Sequence, residues 1–92
     1  MLHKAFENHT RIHILAALIS SGEWVDFGTL KNKLGVSDGN LAAHIVFLEK
    51  EAFITIKKQT IDKRPNTSYQ ITPLGRRSAK EFLRSLDVLF DR

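Results

Sequence analysis

The chain of 92 residues contains no cysteine, only two prolines, and one tryptophan and one tyrosine among its aromatic residues. Without cysteine there is no disulfide framework, no thiolate metal site and no thiol redox switch. A reducing compartment is the expected setting, and the cytoplasm the expected location. Long hydrophobic runs are missing too. The longest nearly apolar stretch, Ile12 to Ile19, is interrupted by His13 and falls far short of the ~20 apolar residues that cross a bilayer. No membrane association is expected. The opening segment Met1-Leu2-His3-Lys4-Ala5-Phe6-Glu7 carries an early acid and no cleavable apolar core, so no targeting signal is expected. There is no phosphate-binding glycine loop and no recognisable Ser-His-Asp or paired-carboxylate arrangement. His9 and His13 stand at i and i+4, a spacing that could hold a metal, but a place at the edge of the core or at an interface fits a lone pair better. The expectation is a non-enzyme with no cofactor and no metal.

What is present is an ordinary globular composition, 42% hydrophobic and 26% charged, in a length that makes one domain, residues 1–92. The net charge of +4 is unevenly placed. From Met1 to Gly39 the basic residues Lys4, Arg11, Lys31 and Lys33 cancel Glu7, Glu23, Asp26 and Asp38. Lys57, Lys58, Lys63 and Arg64 then face only Asp62, and Arg76, Arg77, Lys80 and Arg84 only Glu81. Clustered basic excess of this kind suits a phosphate-facing surface, or else a solvated face with no partner.

Periodicity divides the chain into helices and strands. Phe6, His9, Ile12, Ala16 and Ile19, widened by Leu15 and Leu18, predict a first helix over residues 2–21 that stops at Gly22. Trp24-Val25 reads as a short extended piece. Asp26 caps a second helix with Phe27, Leu30 and Leu34 on one face, ended by Gly35. Ser37 caps a third, over residues 38–51, with Leu41, Ile45 and Leu48 inward and Asn40, Ala43, His44, Phe47 and Lys50 outward. Helix, short turn and helix make a helix-turn-helix. Residues 53–58 and 67–71 predict two strands, with a polar loop from Gln59 to Asn66 between them. Thr72 caps and Pro73 opens a last helix running to about Phe90. The expected fold is mainly α with a small β-hairpin, in the order helix, short strand, helix, helix, strand, wing, strand, helix.

Across nearly its whole length the chain resembles the single-domain winged-helix regulators related to the MarR and ArsR groups. The resemblance is carried by Arg11-Ile12-His13-Ile14-Leu15, Phe27-Gly28-Thr29-Leu30-Lys31, and Leu34-Gly35-Val36-Ser37-Asp38-Gly39-Asn40-Leu41. It continues through His44, Leu48-Glu49, Thr67-Ser68-Tyr69 and Ile71-Thr72-Pro73-Leu74-Gly75-Arg76. It implies a two-fold dimer built on the first and last helices, with the third helix in the major groove and the wing on the adjacent backbone or minor groove. Where the family carries a glycine before the first wing strand, this chain has Ala52. A left-handed backbone there would cost about 1 kcal/mol relative to glycine.

The expected function is a dimeric DNA-binding transcriptional regulator of the repressor kind, since no second domain is evident that could recruit polymerase. The expected contacts to double-stranded DNA are Ser37, Gly39, Asn40, Ala43, His44 and Phe47 from the third helix. Lys57, Lys58, Lys63 and Arg64 join them from the wing, and Arg76 from the last helix. Phe47 either packs beneath the wing or touches thymine methyl groups. Leu2, Phe6, Phe82, Leu83, Leu86, Leu89 and Phe90 form the expected homodimer interface, because the last helix carries more apolar positions than one core face needs. A small-molecule effector is left open, with nothing in the chain identifying one. The rival reading is a winged-helix protein-interaction module, suggested by Ala42, Ala43, Val46 and Phe47 on a surface that would otherwise be polar.

Overall fold

Asn8 decides where the first long helix begins. Its side-chain oxygen accepts the Arg11 N–H at 3.1 Å, an N-cap that satisfies a donor the first turn leaves open. In the computed structural model, which describes residues 3–90 and the side chains of residues 3–87, the single predicted helix is therefore two. A 3-10 turn covers Lys4–Glu7 and α1 covers His9–Ser21. His3 caps the 3-10 turn by accepting the Ala5 N–H at 2.9 Å. Periodicity alone could not show this break, because Phe6 is buried on both readings. The inward face of α1 is Ile14, Leu15 and Leu18, while His9 and Ala16 are exposed.

Gly22, left-handed with φ 66°, ends α1. β1 (Val25–Asp26) then leads into α2 (Phe27–Leu34), capped by Asp26, whose carboxylate accepts the Thr29 N–H at 2.8 Å. Ser37 caps α3 (Asp38–Lys50) by accepting from Asn40 N–H at 3.2 Å. Leu30, Leu41, Ile45 and Leu48 are buried, so the helix-turn-helix stands on the predicted faces.

The wing departs from the expectation in length. β2 (Ile54–Ile61) and β3 (Arg64–Ile71) pair antiparallel along their full length, and the predicted polar loop is mostly strand. Only Asp62 and Lys63 make the turn, both with positive φ, 50° and 66°. Positive φ at both central residues marks a type I′ turn, whose twist matches that of the strands. Pro65 does not break the ladder. With Ile61 and Arg64 closing the turn, the Thr60–Pro65 pair is a non-hydrogen-bonded one, and the missing proline N–H faces the open edge. The sheet is completed by β1, in the order β1-β3-β2.

α4 (Pro73–Phe90) starts where Thr72 Oγ1 accepts the Gly75 N–H at 3.0 Å and donates to Ala52 carbonyl oxygen at 2.6 Å. Gly75 is needed for space, not for a left-handed turn. A Cβ there would collide with the Phe53 carbonyl oxygen, which already accepts the Thr72 N–H at 3.0 Å. Ala79 and Phe82 pack α4 onto the core, with Phe82 stacked on Phe6 at 4.7 Å between ring centroids. Among the described residues no helix is long and apolar enough to cross a membrane.

Candidate nucleic-acid interface

The head of α3 presents Ser37, Asp38, Gly39 and Asn40, all exposed. Asp38 would repel a phosphate, but Lys31 of α2 lies 2.9 Å from its carboxylate. Both groups are well exposed, so the pair adds little stability. It does cancel the one negative charge at this end of the helix. Gly39 has an ordinary helical φ, and a Cβ added there would meet nothing within 4 Å. Neither conformation nor packing within the chain requires glycine at this position.

Further along the same face Ala43 is exposed, Val46 is 53% exposed, and His44 and Phe47 are half-buried. The ring of Phe47 packs against the core on one side. The Arg11 guanidinium lies 3.6 Å above its centroid, a cation–π contact, and His3 meets it edge-on at 6.3 Å. Arg11 also donates from Nε to His44 Nδ1 at 3.1 Å and from Nη1 to the Lys4 carbonyl oxygen at 3.2 Å. Burial first, and the neighbouring Arg11 charge second, hold the His44 imidazole below its ordinary pKa of 6.5. Arg11 and His3 are the site residues that sequence reasoning missed. Arg11 precedes His44 by 33 residues and His3 precedes Glu51 by 48, so no local pattern announces either pairing. His3 Nε2 lies 2.7 Å from Glu51, and its ring is 4.6 Å from that of Phe53, which fastens the start of the chain to the far end of α3.

On the wing, the four expected cations are placed differently. Lys63 and Arg64 are exposed at the tip, beside Asp62. Lys58 is exposed on β2, whereas half-buried Lys57 lies 4.5 Å over the Trp24 ring at the wing's base. Arg76 is exposed in the first turn of α4. Between the head of α2 and β3 runs an open groove of about 390 Å³, lined by Asp26, Gly28, Asn66 and Thr67 among others. Hydrogen bonds from Thr29, side chain first and backbone second, keep the Asp26 carboxyl below its ordinary pKa despite slight burial. The groove therefore carries a negative charge and is a poor phosphate site.

The residues expected at a dimer interface also separate. Phe6 is buried within its own chain, with 8% exposure, so intramolecular packing already accounts for it. Phe82 and Leu86 are half-buried, and Leu83 is 58% exposed. Leu2 and the side chains of Leu89 and Phe90 lie outside the described residues. Phe6, Ile12, Ala16, Ile19, Phe82 and Leu83 line an apolar cleft of about 90 Å³ between α1 and α4. No three His, Asp or Glu side chains gather among the described residues as a metal ion would require.

Comparison with known proteins agrees with this arrangement. Residues 10–90 match the family model described as a winged helix DNA-binding domain. An uncharacterized protein of Methanocaldococcus jannaschii is 39% identical over 80 residues, covering 87% of this chain and 86% of its own. A transcriptional regulator homologue from Pyrococcus horikoshii OT3 superposes with a TM-score of 0.85 at 32% identity, over 95% of this chain and 85% of that one. The adhesin competence repressor of Streptococcus pyogenes superposes with a TM-score of 0.70 at 26% identity, over 91% of this chain and 59% of that one.

Proposed function

Because the chain belongs to the winged helix DNA-binding domain family, we propose that it is a dimeric transcriptional regulator of the repressor kind. On this reading α3 enters the major groove and the wing tip follows the backbone or the adjacent minor groove. The major groove admits one helix and presents a distinct donor and acceptor pattern for each base pair. The small residues Gly39, Ala42 and Ala43 leave the α3 backbone unshielded for a close approach. Ser37, Gly39 and Asn40 supply the N-terminal turn, where free N–H groups favour phosphate. Repression needs only occupancy of an operator, and the likeness to the Streptococcus pyogenes repressor supports it.

The observation that carries the reading is Lys63. It holds φ 66° at the wing tip, a conformation that costs a non-glycine residue about 1–2 kcal/mol. A glycine would relieve this strain, while a lysine keeps a cation at the most extended point of the hairpin. Strain kept at an exposed charged position is better explained by a ligand than by the fold.

The test is a fluorescence-anisotropy titration at several salt concentrations, with labelled duplex from the region upstream of the protein's own gene beside a scrambled duplex. Selective binding that weakens steeply with salt is expected. Reversing charge at Lys63 and Arg64 should weaken binding to every duplex alike. No binding at low salt would sink the proposal.

A further inference from the structure

Arg11 belongs to α1, yet its guanidinium ends on the outer face of α3. It lies flat on Phe47 and donates from Nε to His44 Nδ1. The planar fork is what permits both contacts at once, since stacking and directed donation use the same rigid group. An imidazole nitrogen that accepts a hydrogen bond carries no proton, so the neutral ring must hold its proton on Nε2. His44 Nε2 has no hydrogen-bond partner among the described residues, and no buried side-chain nitrogen or oxygen there lacks one. Nε2–H is therefore open to solvent. The depressed pKa of the ring agrees with a neutral imidazole near pH 7.

We propose that Arg11 is a positioning residue of the DNA interface, holding His44 in one tautomer and one orientation so that Nε2–H serves as a fixed hydrogen-bond donor to an acceptor on duplex DNA. The proposal rests on the DNA-binding reading and adds to it a residue outside the helix-turn-helix. A fixed donor has a defined preference. It donates to guanine N7 or O6, adenine N7 or thymine O4, but meets the cytosine amino group donor to donor. A phosphate oxygen offers the same acceptor chemistry without any base preference. Arg11 stacks on the Phe47 ring and donates to His44 Nδ1 and the Lys4 carbonyl oxygen, contacts that turn the guanidinium toward His44, and the salt dependence below distinguishes this role from a phosphate contact.

Two measurements test this separately. The first uses the full chain without DNA: imidazole nitrogen NMR at neutral pH. The expected signature for His44 is an unprotonated Nδ1 and a protonated Nε2, blurred into a tautomer mixture in Arg11→Met and Arg11→Lys. Unchanged His44 signals in both variants would overturn the positioning role, whatever DNA binding does. The second measures binding to the duplex that the wild-type chain selects from a randomised pool. Arg11→Met, Arg11→Lys and His44→Ala should each lose about tenfold in affinity, the size of one good hydrogen bond. Arg11→Met combined with His44→Ala should lose no more than either alone, as coupled residues do.

His44→Gln, which returns an amide donor near the Nε2 position, should recover most of the loss, while His44→Asn should not. The slope of affinity against salt should stay at its wild-type value in Arg11→Met. A slope lowered by about 0.9 would instead make Arg11 a phosphate ligand and overturn the proposal. A loss confined to one base pair assigns the acceptor to a base edge, and an equal loss on all duplexes assigns it to phosphate. A pool that yields no duplex overturns the contact and the DNA reading together, leaving the NMR result to judge the Arg11–His44 pair alone.

Discussion

At Ala52 the backbone has φ 61°, and the reason lies in the end of α3. Phe53 N–H bonds to the Leu48 carbonyl oxygen at 3.0 Å and Ala52 N–H to that of Glu49 at 2.9 Å. These are the paired bonds of a Schellman cap, whose C′ residue must be left-handed. Ala52→Gly should therefore stabilise the fold by about 1 kcal/mol, or roughly 4–8 °C in Tm for a domain of this size. Gly75 is the opposite case. Gly75→Ala should destabilise by about 1–3 kcal/mol, because the added methyl meets Phe53 backbone that cannot turn aside. Thermal melts of the two variants check both, and a stabilised Gly75→Ala would mean that α4 can tilt away from β2. The same scale holds a pH effect. His44 has a folded pKa below its ordinary value, so the unfolded chain binds more protons in the window just under pH 6.5. Stability should hold above that value and fall as pH drops through the folded pKa. The difference between wild type and His44→Gln isolates this contribution from His3, His9 and His13. A difference that does not change with pH would mean that the ring titrates normally.

At the scale of elements, what could be read from the sequence was whatever is local. The caps at Asp26, Ser37 and Thr72 and the stop at Gly22 needed only neighbouring residues, and each stands where the pattern put it. Asp62, Lys63, Arg64 and Pro65 make residues 59–66 read as a polar loop, yet strand pairing across the turn overrides such local preferences. Asp62-Lys63 is also not the Asn-Gly or Asp-Gly pair that advertises a two-residue turn. Arg11 was invisible as a site residue for a different reason, since its partners lie on another helix. The wing tip offers a test in which stability and function part company. Lys63→Gly restores a favoured turn and should raise the melting temperature, yet remove a cation and lower the salt slope of DNA binding by about 0.9. A variant more stable and equally strong in binding would show that the tip touches no phosphate.

At the scale of the molecule, the radius of gyration is 13.9 Å, above the about 12 Å typical of a compact chain of this length. The excess fits a wing that projects as a ladder of eight residues a side and an α4 that outruns the core beneath it. On α3, Arg11 lies over one face of Phe47, while Ala42, Ala43 and Val46, the other residues behind the protein-interaction reading, stay exposed. Apolar surface is also exposed on α4, where Leu83 is 58% exposed beside the cleft against α1. In the proposed dimer a second copy covers it and sets two α3 helices to read half-sites about 34–36 Å apart. Leu83→Glu tests this without touching the DNA-facing surface. Leu83 contributes little to the core of one chain, so the variant should fold with a near-unchanged melt at low concentration. It should sediment as a monomer and lose the effective concentration that ties the second half-site to the first. That loss is about 10²–10⁴-fold in operator affinity, with binding to a single half-site left intact. If Leu83→Glu remains a dimer, the interface lies elsewhere. If the wild type is itself a monomer that binds one half-site as tightly as two, the two-fold reading fails and the exposed leucine needs another partner.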